Sequence, residues 1–127
     1  MTDKQKPAYL VACVSTIDDV AVGPEYGELA AEPAKKSGLT PIAGGAVGSD
    51  KVKVLEGELP EGTELMMVEQ FHSMEALDEF YYSEKYQEAI KYRLDGVKMH
   101  FLAALDGISA EELAATAEQA EQAKRGG

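Results

Sequence analysis

Two side chains that can transfer protons lie close together at the end of an apolar segment. Glu69 follows the apolar residues 66–68, and His72 comes three positions later. A carboxyl group buried among apolar side chains has a raised pKa, as a general base requires, and the ordinary pKa of histidine is already close to neutrality. We therefore predict Glu69 and His72 as catalytic residues. The alternatives are that Glu69 is solvated or ion-paired and that His72 is a polar residue near a helix cap.

Four tyrosines lie within 12 residues farther along the chain. A tyrosine that lines an apolar cavity packs with its ring and orients a carbonyl or phenol group with its hydroxyl. We predict Tyr81 and Tyr86 as substrate-binding residues, and Tyr26 on an earlier helix as a third that faces them. The alternative is ordinary packing in the core and at a dimer interface.

Arg93 is the only arginine before the C-terminal tail. A buried guanidinium group requires an anionic partner with matching hydrogen-bond geometry. We predict that Arg93 pairs with a buried carboxylate such as Glu69 or Glu56. The functional alternative places Arg93 among the substrate-binding residues, where it holds a carboxylate or an enolate of the ligand.

The remaining metal-binding residue types are sparse, with one cysteine and two histidines in the whole chain. No Cys/His spacing typical of a metal site occurs. Cys13 is predicted to be a small core residue because its neighbours are apolar. His100 is predicted to be a hydrogen-bonded histidine at an interface, with haem ligation as the alternative. We therefore predict no metal site and no cofactor.

Composition excludes several classes of function. The chain has 127 residues, of which 45% are hydrophobic and 28% charged, enough for one domain with a substantial core. Twelve basic against 23 acidic residues give a net charge of −11, which repels nucleic acid and anionic membrane surfaces. The sequence shows no signal peptide and no membrane-spanning segment, so we predict a cytoplasmic protein with no nucleic-acid or membrane partner.

Hydrophobic patterns and capping residues predict the order strand, helix, strand pair, helix, strand. The predicted helices cover residues 24–37, a segment after Ser73, and residues 83–95. The predicted strands cover residues 8–16, 39–43, 52–55, 64–71 and 97–105, with 52–55 as an edge strand and Gly44-Gly45 as a turn. This order is the split βαβ arrangement of a ferredoxin-like α+β domain.

An additional helix is predicted at the C-terminus. Ser109 and Glu112 have the spacing of a capping box, and an alanine-rich segment follows them. We divide the chain into a ferredoxin-like domain at residues 1–107 and a helical tail at residues 108–127. Docking of the tail on a neighbouring subunit and a solvated tail are both open.

The last predicted strand is largely apolar on both faces. Helices in a ferredoxin-like domain cover only one face of the sheet, so the other face requires a cover of its own. A second copy of the sheet is the simplest cover. We therefore predict a homodimer that associates through the sheet face.

Residues 80–87 read Phe-Tyr-Tyr-Ser-Glu-Lys-Tyr-Gln, and Arg93-Leu94 follows them. This segment resembles the Trp-Tyr-Asn-Ser-Pro-Glu-Tyr-Gln…Arg-Leu signature of the domain-of-unknown-function 1330 family. Supporting pieces in the same order bring the resemblance to about residues 8–106, namely Gly44-Gly45, Leu55-Glu56-Gly57 and Phe71-His72-Ser73. The resemblance implies a dimeric α/β barrel of ferredoxin-like protomers with a pocket between helices and sheet.

The chain also departs from the family pattern. Three arginines that are usual in the family are replaced by Leu39, Ala43 and, approximately, Leu65, which favours a small neutral or apolar ligand. The family carboxylate before the phenylalanine is moved by one position to Glu69, and therefore to the other face of the sheet.

The wider superfamily implied by this resemblance includes cofactor-free monooxygenases, lactone isomerases, polyketide cyclases and haem-handling proteins. We accordingly predict a small-molecule pocket protein that is a cofactor-independent isomerase, cyclase or monooxygenase acting on a small carbonyl or phenolic compound. The alternatives are a non-catalytic ligand-binding or accessory dimer and a haem-handling protein. The sequence leaves open whether the protein is an enzyme.

Overall fold

The computed structural model describes residues 6–16, 24–94 and 96–126. Residue 95, the predicted end of the third helix, lies outside the described residues, as do residues 1–5, 17–23 and 127 of the predicted domains. The strands are β1 (Ala8–Thr16), β2 (Thr40–Ala46), β3 (Leu65–Phe71) and β4 (Val97–Asp106). The helices are α1 (Pro24–Ser37), α2 (Met74–Tyr81), α3 (Glu84–Arg93) and α4 (Ala110–Gly126).

The strands form one antiparallel sheet in the order β2-β3-β1-β4. β1 lies at its centre and pairs with β3 on one side and β4 on the other. The nearly continuous apolar sequence of β1 suits this position, because a central strand has few side chains in contact with solvent. Element order and sheet order together are those of the ferredoxin-like fold, with α4 appended. The predicted α+β fold class is confirmed.

The strand predicted at residues 52–55 is wrong, because β2 alone occupies that edge of the sheet. Residues 52–55 form no strand, and the side chain of Leu55 is 87% exposed. β2 instead continues through Gly44 and Gly45, the positions of the predicted turn. Gly44 has a φ of +130°, and a Cβ atom there would lie 2.2 Å from the carbonyl oxygen of Met66. The missing side chain therefore lets β2 come close enough to pair with β3.

A serine side chain caps the N-terminus of each of the two helices that follow β3. The Ser73 Oγ accepts a hydrogen bond from the backbone N–H of Ala76 at 3.0 Å, and the Ser83 Oγ accepts one from that of Tyr86 at 3.1 Å. Each bond satisfies an N–H group that has no partner within the helix. The two caps thus mark where α2 and α3 start.

The hydrophobic core lies between the helices and one face of the sheet. β-Strand pairing places Ala8 opposite Phe71 and Leu10 opposite Glu69, so these side chains share that face. Tyr26 and other partly buried residues of α1 pack against the core from the helical side. The buried members are Ala8, Leu10, Phe71, Leu77, Phe80, Tyr86 and Ala89.

The opposite face of the sheet carries exposed apolar side chains. Phe101 pairs with Cys13 and Leu105 with Tyr9, so both point away from the core face. The side chain of Phe101 is 40% exposed and that of Leu105 is 53% exposed. In the single chain this face is therefore an open apolar surface.

The predicted capping box at the start of α4 is confirmed. The Ser109 Oγ accepts from the Glu112 N–H, and Glu112 Oε1 accepts from the Ser109 N–H, both at 3.0 Å. Lys6 contacts Glu112 and lies 3.3 Å from Asp106, which ties this end of α4 to β4. The side chains of residues 110–124 are exposed, and the division of the chain at residue 107 stays a prediction. Across the described ranges, no helix is both long and apolar enough to cross a membrane.

Candidate functional site

Two tyrosines from different helices meet beneath the helical layer. The hydroxyl oxygen of Tyr26 on α1 lies 2.9 Å from that of Tyr86 on α3, and their ring centroids are 6.0 Å apart. Tyr86 is only 4% exposed, whereas Tyr26 is partly buried. Burial, followed by the neighbouring Tyr86, raises the pKa of Tyr26 above its ordinary value. The Tyr26 hydroxyl therefore keeps its proton at neutral pH. A pair of phenolic O–H groups that shares one hydrogen bond has one further O–H proton to donate.

Aromatic packing holds Tyr86 in place. Its ring lies 4.3 Å from that of Phe80 and 5.7 Å from that of Tyr81, measured between centroids. Phe80 in turn lies 5.3 Å from Phe71 at the end of β3. These tilted contacts are favourable for aromatic pairs and connect the sheet to α2 and α3. The structure thus brings the three predicted tyrosines into one cluster.

Glu69 faces this cluster from the sheet. It lies on β3 between Leu10 of β1 and Pro41 of β2, on the same face as Phe71. The side chain is partly buried, and burial raises the pKa of its carboxyl group. Its negative charge contributes to the raised pKa of Tyr26. Within residues 6–16, 24–94 and 96–126, Glu69 forms no hydrogen bond or ion pair through its side chain.

Arg93, the last residue of α3, brings a buried positive charge to the same region. The residue is 7% exposed, and its Nε atom is buried without a hydrogen-bond partner. Its charge opposes the other effects on Tyr26 by lowering the pKa of that hydroxyl. The predicted pairing of Arg93 with Glu69 or Glu56 is wrong for the part of the chain that is described, because neither carboxylate forms an ion pair with it.

Tyr81 lines an adjoining apolar cavity. This cavity has a volume of about 250 Å³ and lies between α2 and the strands β1 and β4. Through the ring of Tyr81 it borders the cluster, since that ring contacts Tyr86. Its volume is slightly below the range typical of pockets that enclose drug-sized ligands. The other lining residues are Leu10, Leu77, Asp78, Tyr82, Leu102 and Ala104.

His72 lies apart from the tyrosines. Its backbone N–H donates to the carbonyl oxygen of Ser37 at 3.0 Å, and its exposed ring covers Gly38 at the end of α1. A Cβ atom on Gly38 would lie 2.3 Å from the His72 ring, so this glycine makes the contact sterically possible. No hydrogen bond or ring contact joins His72 to the cluster in the described ranges. Its catalytic role stays a prediction.

His100 is bonded to a serine on the neighbouring strand. The Nε2 atom of His100 lies 2.6 Å from the Oγ of Ser15, next to a bulge in the β1–β4 pairing. Ser15 also donates to the carbonyl oxygen of Gly62. The described residues contain no group of three or more His, Cys, Asp or Glu side chains that could hold a metal ion. His100 therefore has a structural partner at the nitrogen that haem ligation would require.

A larger groove, which the sequence did not indicate, lies between α1 and the α2–α3 pair. Its volume is about 560 Å³. Pro33 and Phe80 line it, and an ion pair between Lys85 and Glu32, 2.7 Å long, joins α1 to α3 there. Charges of both signs surround this groove. It contains none of the predicted site residues, and only the packing of the helices creates it.

These features define a ferredoxin-like protein with an interior polar cluster. They are the sheet order, the helices on one face of the sheet and the polar side chains beneath those helices. The chain belongs to the family described as "Domain of unknown function (DUF1330)", which matches residues 7–107. The family resemblance of the sequence is thereby confirmed. No functionally curated protein matches the chain.

Solved structures show the same fold. A protein of unknown function from Rhodopseudomonas palustris is 18% identical, with a TM-score of 0.63 over 85% of this chain and 87% of that chain. SnoaB, a cofactor-independent oxygenase from Streptomyces nogalater, is 5% identical, with a TM-score of 0.52 over 83% of this chain and 96% of that chain. At these identities the similarity shows the fold alone.

Proposed function

We propose that the protein binds a small carbonyl or phenolic compound beneath its helices and acts on it by acid–base chemistry without a cofactor. An isomerase, a cyclase and a monooxygenase are the reaction types that fit. The main supporting observation is Glu69, a partly buried carboxyl group on the core face of the sheet that has no partner in the described ranges. Its charge acts on Tyr26, whose hydroxyl is bonded to that of Tyr86. The fold is also that of SnoaB, which is described as a cofactor-independent oxygenase.

The proposed chemical step is a proton transfer to Glu69. The carboxylate removes a proton from the carbon next to a carbonyl group, and the electron pair of the broken C–H bond moves to the carbonyl oxygen. The hydroxyl proton left over in the Tyr26–Tyr86 pair stabilises the charge on that oxygen. Return of the proton to another carbon completes an isomerisation. In a monooxygenase, molecular oxygen is the co-substrate that oxidises the enolate.

Proton exchange tests this step without knowledge of the natural substrate. A panel of enolisable aryl ketones is incubated with the protein in D2O, and loss of the α-proton signal is followed by NMR. Glu69→Gln removes the base, so we expect the protein-dependent exchange rate to fall by about 10²- to 10⁴-fold. Glu56→Gln, a change at an exposed glutamate, is the matched control.

The same assay compares the two candidate bases. A loss of exchange in His72→Ala with full exchange in Glu69→Gln moves the catalytic role to His72. Unchanged exchange in both variants contradicts the proposed acid–base function. Tyr81→Phe and Tyr86→Phe are expected to weaken substrate binding, because each removes a hydroxyl predicted to contact the ligand.

Non-catalytic ligand binding is the second candidate function. It is supported by the apolar cavity beside Tyr81, which accommodates a small ligand without any base in its lining other than Asp78. Saturable binding of the ketone panel with no proton exchange favours this function. A haem-handling role has no comparable support, because the Nε2 atom of His100 is bonded to Ser15.

We also propose that the protein forms a homodimer through the sheet face that carries Phe101 and Leu105. Exposure of both side chains in the single chain supports this association, since burial of apolar surface stabilises it. Native mass spectrometry is expected to show a dimer that Phe101→Asp converts to a monomer. Leu55→Asp, at an 87% exposed loop position, is the control and should leave the dimer intact. A monomeric wild-type protein contradicts the proposal.

A cytoplasmic location without nucleic-acid or membrane partners remains part of the proposed function. The net charge of −11 supports the exclusion of polyanionic partners. The single cysteine, which is buried, is typical of a protein that does not rely on disulfides.

A further inference from the structure

Arg93 is a buried cation without a counter-ion in the described part of the chain. A guanidinium group stays protonated in proteins, so burial cannot neutralise it as it can a lysine or a carboxyl group. Arg93 is 7% exposed, and its Nε–H has no acceptor. An unpaired buried charge is strongly unfavourable, which means that a compensating group is required.

Glu69 does not provide that compensation. A carboxylate in contact with a guanidinium group has a lowered pKa, because the positive charge stabilises its ionised form. The pKa of Glu69 is instead raised, with burial as the cause. The ion pairs of the described residues involve Lys6, Lys85 and Lys91 rather than Arg93.

The Tyr26–Tyr86 pair adds a second donor, and the carboxyl group of Glu69 nearby forms no hydrogen bond to that pair or to Arg93 in the described ranges. In the Tyr26–Tyr86 pair one hydroxyl donates to the other, and the second hydroxyl proton has no acceptor in residues 6–16, 24–94 and 96–126. Tyr86 and Arg93 are both buried residues of α3 and lie seven positions apart, about two helical turns, so they face the same side of that helix, where Tyr86 meets Tyr26. The region therefore presents an N–H donor, an O–H donor and a positive charge. The group that satisfies all three is an anionic oxygen.

We propose that Arg93 and the free hydroxyl of the Tyr26–Tyr86 pair bind an anionic oxygen of the ligand. The ligand class is a small conjugated acid, which presents either a carboxylate or the enolate or phenolate oxygen of an acidic enol or phenol. This inference rests on the proposed function and makes it more specific. An anionic ligand differs from the neutral ligand that the sequence indicated, where Leu39, Ala43 and Leu65 replace the usual family arginines. In the structure Arg93 of α3 supplies a positive charge in their place.

NMR of the arginine side chains tests the charge preference directly. The chain has two arginines, Arg93 and Arg125, so their Nε–H signals are separated in a 1H–15N spectrum, and Arg93→Lys identifies them. Benzoate is the anionic probe, and benzamide is a neutral probe of nearly the same shape. We expect benzoate to shift the Arg93 signal in a saturable way and to leave the Arg125 signal unchanged. Benzamide should bind with an affinity lower by about tenfold or by a larger factor.

A second probe distinguishes the two sources of the anionic oxygen. 4-Nitrophenol absorbs differently as phenol and phenolate, so binding as the anion shifts its spectrum at a pH below its solution pKa. A shift with 4-nitrophenol and no binding of benzoate points to an enolate or phenolate ligand, and the reverse points to a carboxylate. Equal affinity for benzoate and benzamide, together with no spectral shift of 4-nitrophenol, overturns the inference.

Arg93→Met completes the test by removing the charge at similar side-chain length. We expect this variant to lose the preference for benzoate and, without ligand, to have a higher Tm, because an uncompensated buried charge has been removed. Retained preference or a lowered Tm overturns the inference. Glu56→Gln, a change at an exposed glutamate, should keep the benzoate preference. Absence of protein-dependent proton exchange in the wild-type protein contradicts the proposed function, whereas absence of a benzoate preference in the wild-type protein contradicts the role of Arg93.

Discussion

The hydroxyl groups of Tyr26 and Tyr86 lie 2.9 Å apart, although 60 residues separate them in the sequence. This hydrogen bond connects α1 to α3 in the interior, while an ion pair between Lys85 and Glu32 connects the same helices at the surface. An interior hydrogen bond is shielded from water and resists replacement, whereas an exposed ion pair contributes little. The tyrosine pair therefore fixes the distance between α1 and α3.

The coupling between the two hydroxyls can be measured in a double-mutant cycle. Tyr26→Phe leaves the buried Tyr86 hydroxyl without its partner, so we expect a loss of about 1–3 kcal/mol in the free energy of unfolding. The double variant Tyr26→Phe/Tyr86→Phe should lose less than the sum of the single variants. Urea denaturation gives these values, and Tyr82→Phe at a 72% exposed position is the control. Additive losses would show that the pair is not coupled.

Glu69 should make the protein less stable as the pH rises. Its pKa in the folded state lies above the ordinary value of 4.5, because burial disfavours the charged form. Between these two values the folded state holds a proton that the unfolded state has lost, so the free energy of unfolding falls with increasing pH. Glu69→Gln should remove this fall, and Glu56→Gln should retain it. Thermal denaturation from pH 4 upward compares them; parallel profiles for wild type and Glu69→Gln contradict the prediction.

Two glycines should respond to alanine in opposite directions. At Gly44, with a φ of +130°, the new Cβ would lie 2.2 Å from the Met66 carbonyl oxygen, so we expect a loss of about 1–3 kcal/mol as β2 is displaced from β3. At Gly27 in α1 no atom lies within 4 Å of the new Cβ, so alanine should stabilise by about 0.5–1 kcal/mol through its helix propensity. Chemical denaturation measures both. A tolerated Gly44→Ala would contradict the close pairing of β2 with β3.

The serine before α3 should affect both stability and the site. Ser83→Ala removes the acceptor for the Tyr86 N–H, and we expect a loss of about 1 kcal/mol in the free energy of unfolding. Ser83→Asn, which provides another acceptor at the cap, should keep most of the stability. Because α3 carries Tyr86 and Arg93, Ser83→Ala should also weaken benzoate binding. Equal stability of the two variants would show that the cap contributes little here.

Local sequence determined the positions of most elements. The helix starts after Ser73, Ser83 and Ser109 were predictable, because each serine oxygen accepts a hydrogen bond from the backbone N–H three residues later. This contact needs nothing from the rest of the fold. The apolar run of β1 likewise indicated a central strand. By contrast, the alternation at residues 52–55 suggested an edge strand, which the pairing of β2 with β3 excludes. Strand pairing is a contact between distant segments, and periodicity alone does not report it.

The sequence alone indicated the residue types of the candidate site. The residues chosen from it lie toward one region of the fold, namely Tyr26, Tyr81, Tyr86, Glu69 and Arg93. Only the tertiary structure decided how they relate. It joined two tyrosine hydroxyls, placed His72 outside the cluster and left Arg93 without a carboxylate in the described ranges. Hydrogen-bond partners and burial depend on the approach of α1, α3 and β3, which are far apart along the chain. The proposed charge preference therefore depends on the packed structure.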